Sequence, residues 1–201
     1  MSSFGGVAWI DLVSGADAEL VLSALDVGEG EVAELPGGRH RIVAGAIGMS
    51  GDVWYGELAE AVVRLAERTG WVSHAFIAFD HDEYGAEHIV LEVSDGNVRR
   101  AYHYYAHPRN WWRYFVQGEP SAVVSLPAVE LTRPGKDPGV LVDGRVARAT
   151  VSQLYGVPVS AVKRAATADA SAHRSVGIIG APCEHWRDAL GLPWPGGDRV
   201  G

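Results

Sequence analysis

The sequence predicts an α+β fold: a mainly antiparallel sheet with helices packed on one face, plus a C-terminal helical extension. Three observations carry that expectation. Asp95-Gly96 stands between two alternating runs, and Asp-Gly supplies the positive φ angles of a two-residue hairpin turn. Two upstream segments carry apolar residues at helical spacing and alternate with short β-branched and aromatic runs. From Arg145 onward the pattern is helical again.

Taken in order, VAWIDLV (Val7–Val13) reads as a strand and Ala16–Leu25 as a helix with Leu20, Leu22 and Leu25 partly buried. Gly28–Gly38 is rich in Gly and Glu and reads as loop. Arg39–Gly48 reads as a strand. A helix capped by Asp52 runs to about Arg68, with Leu58, Val62 and Leu65 on one buried face and Thr69-Gly70 ending it. Ser73–Phe79 reads as a central strand, because the unbroken apolar run Ala75–Phe79 suits burial on both sides. The hairpin then gives the order β-α-β-α-β-β-β.

A two-residue turn fixes the hairpin register. Val93 then faces Val98, Glu92 faces Arg99, Ile89 faces Tyr102 and His88 faces His103. Alternation sorts these residues into two faces. Ile89, Leu91, Val93, Val98, Tyr102 and Tyr104 form a core face, with Arg100 as its exception. His88, Val90, Glu92, Arg99, Ala101, His103, Tyr105 and His107 form a mixed, polar face. Opposed imidazoles would bind metal or titrate near neutral pH. Zinc needs a third ligand at defined spacing, and the segment supplies none, so a protein-contact face is the expectation.

The loop Asp80–Tyr84 (DHDEY) brings Asp80, Asp82, Glu83 and His81 together after the central strand. It lacks the spacing of a calcium or zinc loop and reads as a solvated acidic connection. His107–Phe115 (HPRNWWRYF) is the densest aromatic stretch. Trp, Tyr and Arg dominate binding hot spots, so Trp111, Trp112 and Arg113 join the candidate contact residues. Residues 1–118 are thus the expected core domain, and 119–144 a Pro/Gly-rich connector in which AVVSLPAVEL would form an edge strand. Residues 145–201 form a helical C-terminal region, with packing on the core as an arrangement open to it.

In that region Arg145–Tyr155 and Pro158–Ala166 are candidate helices around Gly156. Their spacing also suits a helix-turn-helix with Val157, Ser160, Val162 and Arg164 at the start of a recognition helix. An α-hairpin is the commoner use of that pattern. Pro182 suits a first helical position, with Cys183 and Glu184 in the first turn. Cys183 and His185 lie two apart and would point in different directions, so Cys183 reads as structural.

At 201 residues with 47% apolar content the chain can bury a proper core, and no run has the length of a membrane helix. A single cysteine excludes an internal disulfide and fits a cytoplasmic protein, and the N-terminus has no basic and apolar leader pattern. Net charge is −8, unevenly spread: residues 1–96 hold 4 Lys/Arg and 17 Asp/Glu, net −13, and residues 97–201 hold 13 and 8, net +5. The acidity argues against nonspecific nucleic-acid binding and suits a protein partner with a basic surface. No cofactor or metal motif is present: there is no Walker loop, dinucleotide fingerprint, GxSxG, HExxH or paired CxxC.

A small acidic α+β body, aromatic surface segments and a Gly/Ala/Arg-rich style together resemble the immunity proteins of actinobacterial polymorphic toxin systems. That resemblance implies a protein that binds a cognate toxin and blocks it. The expected contact residues are Asp80, His81, Asp82, Glu83, His88, Arg99, His103, Tyr105, His107, Trp111, Trp112 and Arg113. Two alternatives stand beside this reading. One is a small enzyme using His88, His103 and the Asp80–Glu83 carboxylates. The other is a DNA-binding regulator acting through residues 145–166.

Overall fold

The computed structural model describes residues 4–25, 29–45, 57–81, 85–94, 97–106, 146–172 and 183–193. Chain order is β1 (Phe4–Leu12), α1 (Ala18–Leu25), β2 (Glu29–Leu35), β3 (Arg39–Gly45), α2 (Glu57–Thr69), β4 (Val72–His81), β5 (Gly85–Ser94), β6 (Asn97–Ala106), α3 (Val146–Tyr155), α4 (Val159–Ala172) and α5 (Glu184–Leu190). The strands form one antiparallel sheet in the order β2-β3-β1-β4-β5-β6. The α+β class and the antiparallel sheet are as the sequence predicts.

The first four strands and two helices follow a double split β-α-β path: β1 and β2 flank β3, and β3 and β4 flank β1. This path contains a strand the sequence reading missed. Residues 29–35, expected as loop, pair with β3 from Glu29↔Gly45 to Leu35↔Arg39. Gly30 marks where α1 sits close above this strand. A Cβ there would run into Leu22 of α1, so glycine lets the helix close on the strand.

Both faces of the sheet are covered. On the first, Ala8, Ile10, Leu12, Ile42, Ala75, Ile77, Ile89 and Leu91 pack with Val21 and Leu25 of α1 and Val62, Val63 and Ala66 of α2. The buried stripe of α1 runs through Ala18, Val21 and Leu25, with Leu22 partly buried, so Leu20, expected inside, points out and is 55% exposed. Helix α2 ends as expected, with Gly70 at φ 64 and its N–H donated to Ala66 O. Its expected cap, Asp52, lies outside the described residues.

On the second face Val7, Trp9, Val43, Phe76, Ala78, Val90 and Tyr102 pack with Val151 of α3, Val162, Ala165 and Ala166 of α4, and Trp186 and Leu190 of α5. The C-terminal helices therefore lie across the sheet. The Trp9 indole N–H, donated to Pro193 O at 2.6 Å, ties the segment after α5 to β1. Ala75, Phe76, Ile77 and Ala78 are buried, as a strand covered on both sides requires. No helix among the described residues is long and apolar enough to cross a membrane.

The hairpin keeps the expected register only near its turn. Ser94↔Asn97, Val93↔Val98, Glu92↔Arg99 and Leu91↔Arg100 pair, and then the register shifts so that Val90 meets Tyr102. Ala101 is the extra residue of a β-bulge, and every position beyond it moves to the opposite face. Tyr102 thus leaves the expected core face and joins Val90 under the C-terminal helices.

Candidate functional site

The bulge separates the two histidines expected to face each other. His88 pairs with Tyr104, and Ile89 pairs with His103. Paired residues share a face, so His103 sits on the side of Ile89, and His88 on the other. Both are buried, at 1% for His88 and 7% for His103. The polar face expected to be open is closed by helices, because α4 and α5 have apolar stripes that need covering.

What His88 meets instead is Asp169, on the part of α4 beyond the helix end expected at Ala166. Asp169 is wholly buried and takes four donors. Its Oδ1 accepts from His88 Nδ1 at 2.8 Å and from His185 Nε2 at 2.7 Å. Its Oδ2 accepts from the Tyr102 hydroxyl and the Trp186 indole N–H, both at 2.6 Å. A carboxylate only accepts, so the facing nitrogen of each imidazole carries the proton in this arrangement. Burial pushes the Asp169 carboxyl up, but the charge of His88 and hydrogen bonds from His185 and His88 outweigh it and hold the group at about 2. The ring edges of His88 and His185 converge, with centroids 5.8 Å apart and planes at 64°. His88 Nδ1, an Asp169 oxygen and His185 Nε2 all lie within 4.8 Å of one another. His185 is the member that reaches the surface, with its side chain 25% exposed.

A second buried carboxylate lies on the same face, on β1. Asp11 takes a two-point contact from Arg41 of β3, Nε to Oδ1 at 2.5 Å and Nη2 to Oδ2 at 2.8 Å. The Ser73 hydroxyl donates to Asp11 O, which leaves His74 Nδ1 to donate to Ser73 Oγ at 2.9 Å. His74 Nε2 stands 3.2 Å from Asp11 Oδ2, an ion-pair distance off the line of a hydrogen bond. Burial pushes Asp11 up, while the hydrogen bonds from Arg41 and the close approach of the His74 imidazole prevail and hold it at about 2. Tyr155 of α3 closes the cluster edge-on to His74, with 4.7 Å between ring centroids. Burial, and then the Asp11 charge, push its phenol well above the usual tyrosine range. A run of rings leads away from Asp169 across this face: Trp186 lies 5.7 Å from Phe76, and Phe76 stacks on Trp9 at 5.5 Å.

Other candidate residues are dispersed. Asp80 and His81 belong to the end of β4, so that strand runs two residues into the expected acidic loop, and Tyr105 stands near the end of β6. Arg99 is exposed and opposite Glu92, as expected. Asp82, Glu83, His107, Trp111, Trp112, Arg113 and the 119–144 connector lie outside the described residues. Cys183 is buried at the N-cap of α5, within the apolar cluster. In the expected helix-turn-helix, α4 turns Val162 inward and leaves Ser160, Lys163 and Arg164 exposed.

Sequence reasoning singled out none of Asp11, Arg41, His74, His185 and Asp169 as site residues, and Asp169 is the one on which most donors converge. A signal exists: it is the one acid between Arg145 and Arg174, and it stands seven residues after the buried Val162, on the same helical stripe.

The fold and its face of buried carboxylates define an α+β protein with helices on both sides of an antiparallel sheet. Compared with family models, curated proteins and solved structures, the chain matches none.

Proposed function

We propose that this chain is a non-enzymatic cytoplasmic binding protein, of the immunity or inhibitor kind, that engages a toxin with a basic surface. One observation supports the reading: the sheet ends on an acidic strand. No strand borders the outer edge of β2 among the described residues. Exposed Glu31 and Glu34 lie on that strand, and exposed Asp17 and Glu19 lie at the start of α1, which packs over it through Leu22. Leu20 stands out of the same helix.

An open edge offers main-chain N–H and C=O groups to an added strand. Carboxylates around it speed encounter with a cationic surface and repel an acidic one. They also keep the edge from pairing with other copies of the chain, which is the ordinary use of charge at such a position. Leu20 adds an exposed apolar side chain on the helix that carries Glu19.

Co-expression with the protein encoded next to this one is the test. The chain should relieve that protein's growth inhibition. Association should slow by roughly tenfold or more when salt is raised from low to high. The variant Glu19→Lys/Glu31→Lys/Glu34→Lys should lose protection while its circular dichroism and melting temperature match the wild type. Equal protection by that variant overturns the reading.

A further inference from the structure

We propose that His88, Asp169 and His185 bind a divalent transition-metal ion, zinc by preference, and that the ion staples α4 and α5 to the sheet. The inference is independent of the β2 edge. Two imidazole nitrogens and a carboxylate oxygen are the donor set of three-ligand zinc sites that keep a fourth position for water. Here the three come from β5, α4 and α5, elements far apart in sequence that the fold brings to one point.

The geometry suits an ion. Asp169 Oδ1 lies 2.8 Å from His88 Nδ1 and 2.7 Å from His185 Nε2. Zinc bonds of about 2.0–2.1 Å in a tetrahedron set neighbouring ligand atoms roughly 3.3 Å apart. Opening each contact by about half an ångström, and bringing the two imidazole ligand atoms, which lie within 4.8 Å of one another, to the same spacing, admits the ion. The two rings meet the same oxygen from β5 and α5, with their planes at 64° to one another. On binding, each imidazole turns a lone pair to the ion, and its proton passes to the other ring nitrogen or to solvent.

The surroundings are those of an oriented ligand. Tyr102 and Trp186 hold Oδ2, which leaves Oδ1 aimed at the histidines. Outer donors of this kind fix a metal-binding carboxylate and raise affinity. His185, the partly exposed member, gives the ion its route.

The same four donors would also serve as a plain hydrogen-bonded clamp, and metal binding separates the two. Untagged full-length protein, stripped with chelator, is titrated with cobalt(II) and then zinc. One cobalt per chain should bind with the visible absorption of a four-coordinate site, and zinc should displace it. Zinc at a hundredfold excess over its Kd should raise the melting temperature on the order of 5–10 °C. His185→Gln, at the rim, should abolish the cobalt band with the far-ultraviolet spectrum unchanged. Tyr102→Phe, which keeps all three ligands, should weaken binding by roughly 10–100-fold. A wild type with no cobalt band and no zinc-dependent shift overturns the proposal. So does uptake that His185→Gln leaves unchanged, whatever becomes of a His88→Gln variant.

Discussion

At the scale of single residues, the second face is held by two carboxylates that cannot be replaced one atom at a time. Asp11 shows why. Arg41, His74, Ser73 and Tyr155 are the polar groups packed around it. Removing its charge leaves a largely buried guanidinium without its anion, and breaking such a pair costs about 3–5 kcal/mol. Asp11→Asn should lose stability in that range at pH 7, read from urea unfolding. The pH dependence has a fixed sign. The folded carboxyl sits at about 2 and its ordinary value is 3.8, so its stabilisation is complete above about pH 4 and fades as pH falls towards 2. The gap between wild type and Asp11→Asn should stay constant from pH 7 to 5 and narrow by about 2 kcal/mol on approach to pH 2. A gap that widens with acid would place the carboxyl's role elsewhere.

At the scale of elements, one inserted residue decides what the sheet presents. Asp95-Gly96 announces the hairpin, and alternation announces its faces as far as Arg100. The bulge at Ala101 has no such signature: alanine at that position looks like any other residue of the run. Yet it carries Tyr102 from the α2 side to Asp169 and Trp186. Strand β2 was illegible for a related reason, since Gly28–Gly38 has the composition of a loop, and both its partner β3 and the Leu22 side chain that packs above Gly30 are distant information that composition does not carry. Helices α1 to α5 were legible because their helical signals are local, although α4 runs on to Ala172, past the end expected at Ala166. Deleting Ala101 tests the bulge directly. It should leave Leu91 opposite Arg100 and bring Tyr102 directly opposite Val90, so Tyr102 keeps its face and its bond to Asp169, and the loss should stay within about 1–2 kcal/mol in urea unfolding. Ala101→Gly, which keeps the bulge, should cost about 1 kcal/mol. A deletion that costs more than about 3 kcal/mol would mean that Tyr102 had left Asp169 and that the pairing beyond the bulge is not Val90↔Tyr102.

For the whole molecule, the consequence is a core on two sides of one sheet. The sequence separates an N-terminal body from a basic helical tail, and composition alone gives no reason to lay one on the other. The reason lies in the second face. Trp9, Phe76, Val90 and Tyr102 are buried there only because α3, α4 and α5 cover them. Sheets bury both faces when both are apolar, and an exposed patch of that size would associate or bind dye. A fragment ending at residue 118 should therefore not behave as a domain. It should keep β-rich far-ultraviolet dichroism from the pairing of β1 to β6, lose the near-ultraviolet signal of its tryptophans, and bind an apolar dye such as ANS. The full chain should unfold in one step, with tryptophan fluorescence and far-ultraviolet signals coincident, because each layer's burial depends on the other. A fragment of 1–118 that melts cooperatively with native near-ultraviolet dichroism would show the first layer to be sufficient, and would reduce the C-terminal helices to a cover on a finished fold.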